Sequence, residues 1–244
     1  MPRPLRVLFF DIDDTVYSTS EFSHAARQNA VRAMIKAGLQ ISEDDLQREL
    51  DEVIQEFGSN YEHHLDKLVQ RLPASACANV LPIIAVAAGM VAYHQTKFRQ
   101  FAPYEDAIAV LGQLRERGLR LGIITAGVAI KQAEKIVRLG LHQIVEAANI
   151  YITDLIGIAK TNPKIYLRAC KEAGAEPGAC LYVGDNPTVD VEVPSRIGMR
   201  TALSRRSGKY ASVELRVPPD HIIHNFWDML EIIEKEYEII RHER

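Results

Sequence analysis

The pattern of hydrophobic and polar positions divides the chain into three stretches. Residues 7–10 form a short apolar run, V-L-F-F, without alternation, which is typical of a strand buried on both faces of a parallel sheet. Helical periodicity then extends over residues 18–100, and beyond residue 104 helix-like and strand-like segments alternate. A simple crossover between parallel strands is much shorter than this helical stretch. The pattern therefore predicts a helical domain inserted into an α/β domain.

The inserted block contains four predicted helices, over residues 18–38, 42–57, 61–72 and 77–99. Ser42 and Asp45 have the spacing of a capping pair at the start of the second helix. The fourth helix is apolar almost all round in its first half, which predicts burial on several sides. An interface between two copies of the chain, in a homodimer, would produce the same pattern.

The remainder of the chain alternates between strand and helix. Strands are predicted at residues 119–125, 149–153 and 181–183, with weaker candidates at 201–203 and 221–223. Helices are predicted at residues 105–117, 128–139, 163–173, 189–197 and 225–244. Pro194 should shorten or distort the helix that contains it. We therefore predict an α/β fold, with a Rossmann-like parallel sheet in residues 1–17 and 101–244 and a helical domain in residues 18–100.

Composition narrows the classes of function. The chain has 244 residues, 47% of them hydrophobic, which is enough for real cores and argues against disorder. Its 29 basic and 32 acidic residues leave a net charge of −3 without a Lys/Arg block, so we expect no nucleic-acid partner. Three cysteines without paired spacing fit a reducing cytoplasm. No signal peptide is expected, because too few apolar residues precede Asp11. No membrane segment is expected either, because no apolar run reaches the ~20 residues that span a bilayer.

Two carboxylates follow the first buried strand. Asp11 and Asp13 are two residues apart, so the period of a strand can point both toward one crevice at the carboxyl edge of the sheet. Like charges facing one space repel, and such a pair is tolerated when a divalent cation neutralises it or when one partner keeps a proton. The alternative is an ordinary Asp-rich turn.

Further polar residues end or follow other predicted strands: Thr125, Lys160, and Asp185 with Asp190. Each is ordinary when taken alone. Together with Asp11 and Asp13 they supply a nucleophile, a proton carrier, a hydroxyl, a fixed cation and acidic metal ligands. This inventory is typical of phosphoryl transfer, since an aspartate can attack an anionic phosphate only if cations and hydrogen-bond donors offset the repulsion.

Four segments resemble the motifs of the haloacid dehalogenase (HAD) superfamily. They are D-I-D-D-T from Asp11, I-I-T-A-G around Thr125, K-T-N-P-K-I-Y from Lys160, and V-G-D-N-P-T-V-D around Asp185. They occur in the family order, and the helical block after the first motif is similar to the type-1 cap of the family. The resemblance covers almost the whole chain. It implies the HAD fold, a cap domain in residues 18–100 and a magnesium-dependent phosphatase.

The resemblance also implies roles for the acidic residues. Asp11 would be the nucleophile, and Asp13 the general acid and base whose backbone carbonyl also binds Mg²⁺. Asp185 would be a second side-chain ligand of the metal, and Asp190 a supporting one.

The same resemblance assigns the phosphate ligands. Thr125 would bind the substrate phosphate together with Ala126 and Gly127, and Lys160 would hold both the phosphate and Asp11.

The sequence departs from the family pattern at several positions. Ala126 stands where many members have asparagine, and Thr161 where proline usually follows the lysine. Val193 and Pro194 replace a small Gly-Ala pair, which would shift the helix that positions Asp190. None of these changes removes a catalytic group. Asp14, in a position that is often glycine, is expected to act as a turn or cap residue.

The substrate is expected to be a small phosphorylated metabolite, either a sugar or triose phosphate or a nucleoside monophosphate. The segment from His94 and Lys97 to Gly127 resembles a subgroup that includes proposed triose-phosphate phosphatases, and these two cap residues are candidates for substrate contact. A phosphomutase shares every motif and is the main alternative. Dehalogenation is disfavoured by Asp13, a receiver-like signalling module is disfavoured by the helical insert, and a catalytically silent binding protein by the complete set of motif residues.

Overall fold

The computed structural model describes residues 2–206, 208 and 210–241. The chain forms two compact units, one from Met1–Ser20 with Ala102–Arg244 and the other from Glu21–Phe101. The first unit contains the strands, and the second is helical.

A parallel sheet of six strands forms the centre of the first unit. Its spatial order is β4-β3-β2-β5-β6-β7, with β1 and β8 forming a separate parallel pair. The strands are β1 (Arg3–Leu5), β2 (Val7–Phe10), β3 (Arg120–Thr125), β4 (Ile150–Ile152), β5 (Cys180–Gly184), β6 (Arg200–Ser204), β7 (His221–Ile223) and β8 (Tyr237–Ile239). The predicted α/β fold with a parallel sheet is confirmed.

The register of the central strands aligns their carboxyl ends. Phe10 of β2 lies opposite Ile123 of β3 and Val183 of β5. All four residues of β2 are buried, as its apolar run predicts. Gly122 allows the close fit of β3 on β2, because a Cβ there would lie 2.4 Å from the Phe9 ring. Since later strands are added on both sides of β2, the crevice at its carboxyl end is the expected ligand site.

Helices connect these strands. They are α5 (Glu105–Glu116), α6 (Ala129–Arg138), α7 (Thr153–Ile156), α8 (Lys164–Glu172), α9 (Val193–Ser195) and α10 (Phe226–Glu236); the helical unit and the segment leading into it hold α1 (Thr19–Lys36), α2 (Glu43–Phe57), α3 (His64–Arg71) and α4 (Pro82–Gln100). The predicted helix at residues 189–197 is indeed distorted, because Pro187–Glu192 form a π-helical turn before α9.

The end of the chain differs from the prediction. A single helix was predicted over residues 225–244, but α10 ends at Glu236 and β8 follows. Tyr237 is buried, and its hydroxyl lies 2.8 Å from His221 Nε2. Pairing of β8 with β1, which the sequence pattern does not show, therefore overrides the helical periodicity. Residues 242–244 of the predicted helix lie outside the described residues.

The helical unit has its own core, in which Leu46, Leu50 and Leu68 are completely or almost completely buried. The predicted cap of α2 is present, since Asp45 N donates to Ser42 Oγ at 3.1 Å. Gly89 lets α4 pack closely, because a Cβ there would lie 2.8 Å from the Leu65 side chain.

The fourth helix is shorter and more exposed than predicted. It begins at Pro82 rather than residue 77, because Ala74–Cys77 form a 3₁₀ turn and proline suits the first turn of an α-helix. Its predicted burial on several sides is wrong, since Ile83 is 64% exposed and Val91 55% exposed. Pairing of this face in a homodimer stays a prediction. No helix among the described residues is long and apolar enough to cross a membrane.

Candidate active site

Residues from several predicted motifs meet at the carboxyl edge of the central strands. Asp11 follows β2, Thr125 ends β3, and Asp185 follows β5. Lys160 lies in the loop between α7 and α8, and Asp190 lies in the π-helical turn. The period of the strands and the parallel register thus bring distant parts of the sequence to one place.

Three carboxylates form a buried cluster. One oxygen from each of Asp11, Asp185 and Asp190 lies within 4.8 Å of the others. Burial raises the pKa of Asp11 to about 6, with a further rise from Asp190 and an opposing effect from Lys160. Burial, Asp190 and Asp11 raise the pKa of Asp185 to about 8. So many acidic groups in a space poor in water require positive charge.

Lys160 supplies part of that charge. Its Nζ lies 3.0 Å from Asp11 Oδ2 and 2.6 Å from Asp190 Oδ1, and its side chain is only 3% exposed. Burial alone would lower the pKa of Lys160, but Asp11 and Asp190 raise it above its ordinary value. The lysine is therefore a fixed cation held between two acids.

Asp190 is positioned by backbone geometry. It is completely buried, and its Oδ2 accepts a hydrogen bond from Asn186 N at 3.0 Å. Gly184 gives it room, because a Cβ there would lie 2.2 Å from that same oxygen. Val193 and Pro194, the departures from the family pattern, are buried in the short α9 that follows the π-helical turn.

The cluster fits a hard divalent cation such as Mg²⁺. Asp11 Oδ1 is buried and has no hydrogen-bond partner among the described residues, whereas Oδ2 is held by Lys160. Carboxylate oxygens are the ligands that Mg²⁺ prefers. Asp13 was predicted to use its backbone carbonyl, and its side chain is not part of the cluster found among the described residues.

Asp13 has a very different environment. Its Oδ1 accepts hydrogen bonds from Tyr17 Oη at 2.7 Å and from Thr19 Oγ1 at 2.6 Å. Lys135 Nζ lies 2.6 and 2.8 Å from its two oxygens, and Gln132 Nε2 donates to Oδ2 at 3.2 Å. Burial alone would raise the pKa of Asp13, but Lys135, Thr19 and Tyr17 lower it below the ordinary value. The ionised carboxylate is thus fully supplied with donors.

Asp14 has a conformation that is rare for a residue other than glycine. Its φ is 50°, and its carboxylate accepts hydrogen bonds from Ser20 N at 2.9 Å and Ser20 Oγ at 2.7 Å. These contacts match the predicted turn or cap role, because a short acidic side chain offsets some of the strain of a left-handed turn.

The loop after β3 carries the predicted phosphate ligands. Thr125 is buried, and its Oγ1 donates to Gln132 Oε1 at 3.4 Å. Gly127 has a φ of 142°, and its N–H donates to Thr153 Oγ1 at 3.1 Å. Ala126 contributes its carbonyl, which accepts from Gln132 Nε2 at 2.9 Å.

Sequence reasoning missed the residues that surround Asp13. Gln132 and Lys135 lie three residues apart on α6, and Tyr17 and Thr19 lie just beyond the first motif. The helical spacing of Gln132 and Lys135 was the available signal, because residues three apart share one face of a helix. His94 and Lys97 lie on α4 in the helical unit, and their predicted contact with substrate stays a prediction.

Comparisons with known proteins agree with this geometry. A glyceraldehyde 3-phosphate phosphatase from Methanopyrus kandleri is 44% identical over 218 residues, covering 88% of this chain and 90% of that protein. Another from Pyrococcus furiosus is 37% identical over 236 residues, covering 96% and 95%. The crystal structure of a HAD phosphatase from Thermococcus onnurineus shares the fold, with a TM-score of 0.65 at 23% identity over 96% of this chain and 100% of that chain.

The family model for haloacid dehalogenase-like hydrolases matches residues 5–198, which include all four predicted motifs. The resemblance predicted from those motifs is confirmed, and the chain belongs to the haloacid dehalogenase-like hydrolases.

Proposed function

We propose that this phosphatase hydrolyses a triose phosphate of the glyceraldehyde 3-phosphate class through a phospho-aspartate intermediate. The observation that carries the chemistry is the environment of Asp11, with Oδ2 held by Lys160 and Oδ1 buried without a donor among the described residues. The similarity to glyceraldehyde 3-phosphate phosphatases supports the choice among the predicted sugar, triose and nucleotide substrates.

In the first half-reaction, a carboxylate oxygen of Asp11 attacks the phosphorus of the substrate. A bond forms between Asp11 and phosphorus, and the ester P–O bond breaks. The leaving alkoxide takes a proton from Asp13, which must enter this step protonated, carrying the proton taken from water at the end of the preceding turnover; the donors that favour its ionised form favour release of that proton. Lys160 offsets the repulsion between the attacking carboxylate and the anionic phosphate, because its ammonium lies 3.0 Å from Asp11.

In the second half-reaction, Asp13 accepts a proton from water. The resulting hydroxide attacks the phosphorus of the acyl phosphate, the bond between Asp11 and phosphorus breaks, and inorganic phosphate leaves. The donors around Asp13 stabilise its ionised form, which is the form that this step needs.

The phosphate group is expected to bind beside the loop after β3. Thr125, Ala126, Gly127 and Lys160 are the proposed ligands. Thr125 and Gly127 have partners within the protein, so binding would exchange these bonds for bonds to phosphate oxygens.

Asp11, Asp185 and the backbone carbonyl of Asp13 are the proposed Mg²⁺ ligands, with Asp190 in support. When bound, the cation would neutralise charge on the transferring phosphoryl group. The protein contributes a buried set of hard oxygen donors for it, including the Asp11 oxygen that has no hydrogen-bond partner in the described part of the chain.

Metal binding can be tested without turnover. Mg²⁺ at 100 times its Kd should raise the free energy of unfolding by about 2.7 kcal/mol. Asp185→Asn should reduce this gain, whereas Asp44→Asn, which removes an equal charge at an exposed position, should preserve it. An equal gain in all three proteins would contradict the proposed ligands.

A phosphomutase, the main alternative in the sequence, is not favoured by the comparisons, since the similar curated proteins are phosphatases.

Residues 18–100 are proposed to act as a cap that selects the substrate. Replacing them with a Gly/Ser linker should preserve hydrolysis of an aryl phosphate and abolish discrimination among metabolites, provided that the remaining core is shown to fold.

The substrate is tested by measuring phosphate release from a panel of phosphorylated metabolites with Mg²⁺. We expect the highest kcat/KM for glyceraldehyde 3-phosphate, with lower values for hexose phosphates and nucleoside monophosphates. A clear preference for a nucleotide or a hexose phosphate would contradict the proposed substrate and leave the phosphatase chemistry intact.

A further inference from the structure

Two side chains of α6 converge on Asp13, and neither belongs to any of the four motifs. Lys135 Nζ lies within 2.8 Å of both carboxylate oxygens, and Gln132 Nε2 lies 3.2 Å from Oδ2. Their spacing of three residues puts them on one face of the helix. Gln132 is 4% exposed and the Lys135 side chain 19% exposed, so both are largely shielded from water.

Gln132 joins Asp13 to the proposed phosphate loop. The same Nε2 that donates to Asp13 also donates to Ala126 O at 2.9 Å, and Oε1 accepts from Thr125 Oγ1 at 3.4 Å. Gly127 leaves space for this side chain, because a Cβ there would lie 2.6 Å from Gln132 Nε2. One amide therefore fixes the loop and the carboxylate relative to each other.

Tyr17 and Thr19 bind Asp13 as well. Both hydroxyls donate to Oδ1, which also receives the Lys135 ammonium. Rotation of the carboxylate would break several of these bonds together, so its orientation is set by the whole group. A displacement of about 1 Å in a catalytic group can lower a rate by about 10²-fold.

We infer that Lys135 and Gln132 are positioning residues, which hold the Asp13 carboxylate at the place from which it transfers protons during phosphate-ester hydrolysis. This inference rests on the proposed function, in which Asp13 is the acid and base. Neither residue is assigned a bond to the substrate or to the nucleophile, so Lys135 acts through Asp13, and Gln132 acts through Asp13 and the loop that it joins to Asp13.

The test is a double-mutant cycle between Lys135 and Asp13. Lys135→Met should lower kcat for the best phosphomonoester by about 10- to 100-fold with little change in KM, because misplacement affects proton transfer more than binding. Lys135→Arg should recover part of the loss by restoring a cation. In the Asp13→Asn background, Lys135→Met should change kcat by less than about twofold, because the group that it positions is already lost.

Lys171→Met is the matched control. Lys171 is an exposed lysine in the last turn of α8, so its loss should leave kcat and the cycle unchanged. Gln132→Leu removes the link to the loop while keeping the volume, and it should also lower kcat more in the wild-type background than in Asp13→Asn.

Unfolding in urea separates positioning from a folding defect. Asp13→Asn should lower the midpoint of the wild type, because it breaks the ion pair with Lys135. It should lower the midpoint of Lys135→Met less, or raise it, because Lys135→Met has already left the Asp13 carboxylate without its cation. If the wild type is active and the kcat losses of Lys135→Met and Asp13→Asn multiply in the double variant, the positioning inference is wrong. The proposed function would then still stand. A wild type that hydrolyses no phosphomonoester would overturn the proposed function, and the inference with it.

Discussion

Asp11 and Asp13 are separated by one residue, yet their surroundings are opposite. Asp11 lies among acids, has one oxygen without a donor among the described residues, and has a pKa raised by burial to about 6. Asp13 accepts hydrogen bonds from Tyr17, Thr19, Gln132 and Lys135. Burial would raise its pKa, but Lys135, Thr19 and Tyr17 hold the pKa below the ordinary value.

The difference shows how one short motif provides two chemical groups. Asp11 directly follows β2 at the centre of the sheet edge, next to the place where Asp185 follows β5. Asp13 lies farther along the turn, where α6 supplies an amide and an ammonium. An oxygen without donors is available to a phosphorus atom or a cation, whereas a fully bonded carboxylate is held ready to move a proton. Under the proposed function, environment would thus separate the roles of two identical side chains.

The largest expected effect on kcat comes from removing the Asp11 carboxylate, which has fewer hydrogen-bond donors than Asp13 among the described residues. Asp11→Asn should lower kcat on the order of 10⁶-fold, as loss of a nucleophile does in other covalent hydrolases. No phosphorylated protein should be trapped when the variant is quenched in acid after mixing with substrate. Turnover near the wild-type rate would show that the two aspartates do not have the assigned roles.

Asp13→Asn should have a smaller and more selective effect. It removes the proton carrier, a role typically worth about 10²–10⁴-fold in kcat. The first half-reaction should be less affected for an aryl phosphate, whose leaving group needs no proton, than for a triose phosphate. Rapid-quench measurement of the first turnover compares the two substrates, through release of aryl alcohol from one and of triose from the other. Equal losses of the first step would contradict this assignment.

Much of the fold could be predicted because its signals are local. The apolar run at β2, which has no alternation, predicts a buried strand, and glycines mark the ends of several helices. These signals together predict the order of strands and helices in the α/β unit. The pairing of β8 with β1 could not be predicted in this way, because it depends on segments at opposite ends of the sequence. The helical periodicity of the sequence continues past Glu236, but pairing with β1 makes these residues a strand instead.

The candidate site was predictable where a motif identified it. Asp11, Lys160, Asp185 and Asp190 meet as expected. Lys135 was missed because a lysine in an amphipathic helix is ordinary, and only the register of α6 against the sheet shows which face it occupies.

The third prediction concerns the packing that supports the Asp11 side of the comparison. Gly184→Ala puts a Cβ 2.2 Å from Asp190 Oδ2, so Asp190 must move away from its present position beside Lys160. Overpacking of this kind should lower the free energy of unfolding by about 1–3 kcal/mol and reduce kcat. Gly112→Ala is the control, because nothing lies within 4 Å of its Cβ and alanine suits the interior of α5. Urea denaturation of both variants would contradict the packing argument if Gly184→Ala were as stable as the control.

The smallest expected effect concerns His221, and it is needed to read the pH dependence of the site. In metal-free protein, the raised pKa of Asp11 contributes stability at low pH that is lost as the pH rises toward about 6.

His221 changes stability with pH in the opposite direction. Burial lowers its pKa below the ordinary value of 6.5, with Glu236 and Asp220 opposing, so the unfolded chain binds a proton more readily than the folded one. The contribution of His221 is therefore complete above pH 6.5 and is lost as the pH falls through the folded-state pKa.

His221→Gln isolates this contribution, because glutamine can keep a hydrogen bond to Tyr237 Oη and does not titrate. In chelator, the free energy of unfolding of the variant should fall less than that of the wild type between about pH 7 and pH 5. His142→Gln, at an exposed position, should retain the wild-type slope. If His221→Gln also retained that slope, the neutral buried histidine would not contribute, and the pH dependence would have to come from the carboxylates alone. With the His221 contribution subtracted, the remaining slope between these pH values reports the raised pKa values of Asp11 and Asp185. Asp13, whose pKa is lowered below 3.8, stays ionised over this range, so its contribution should be lost only at lower pH.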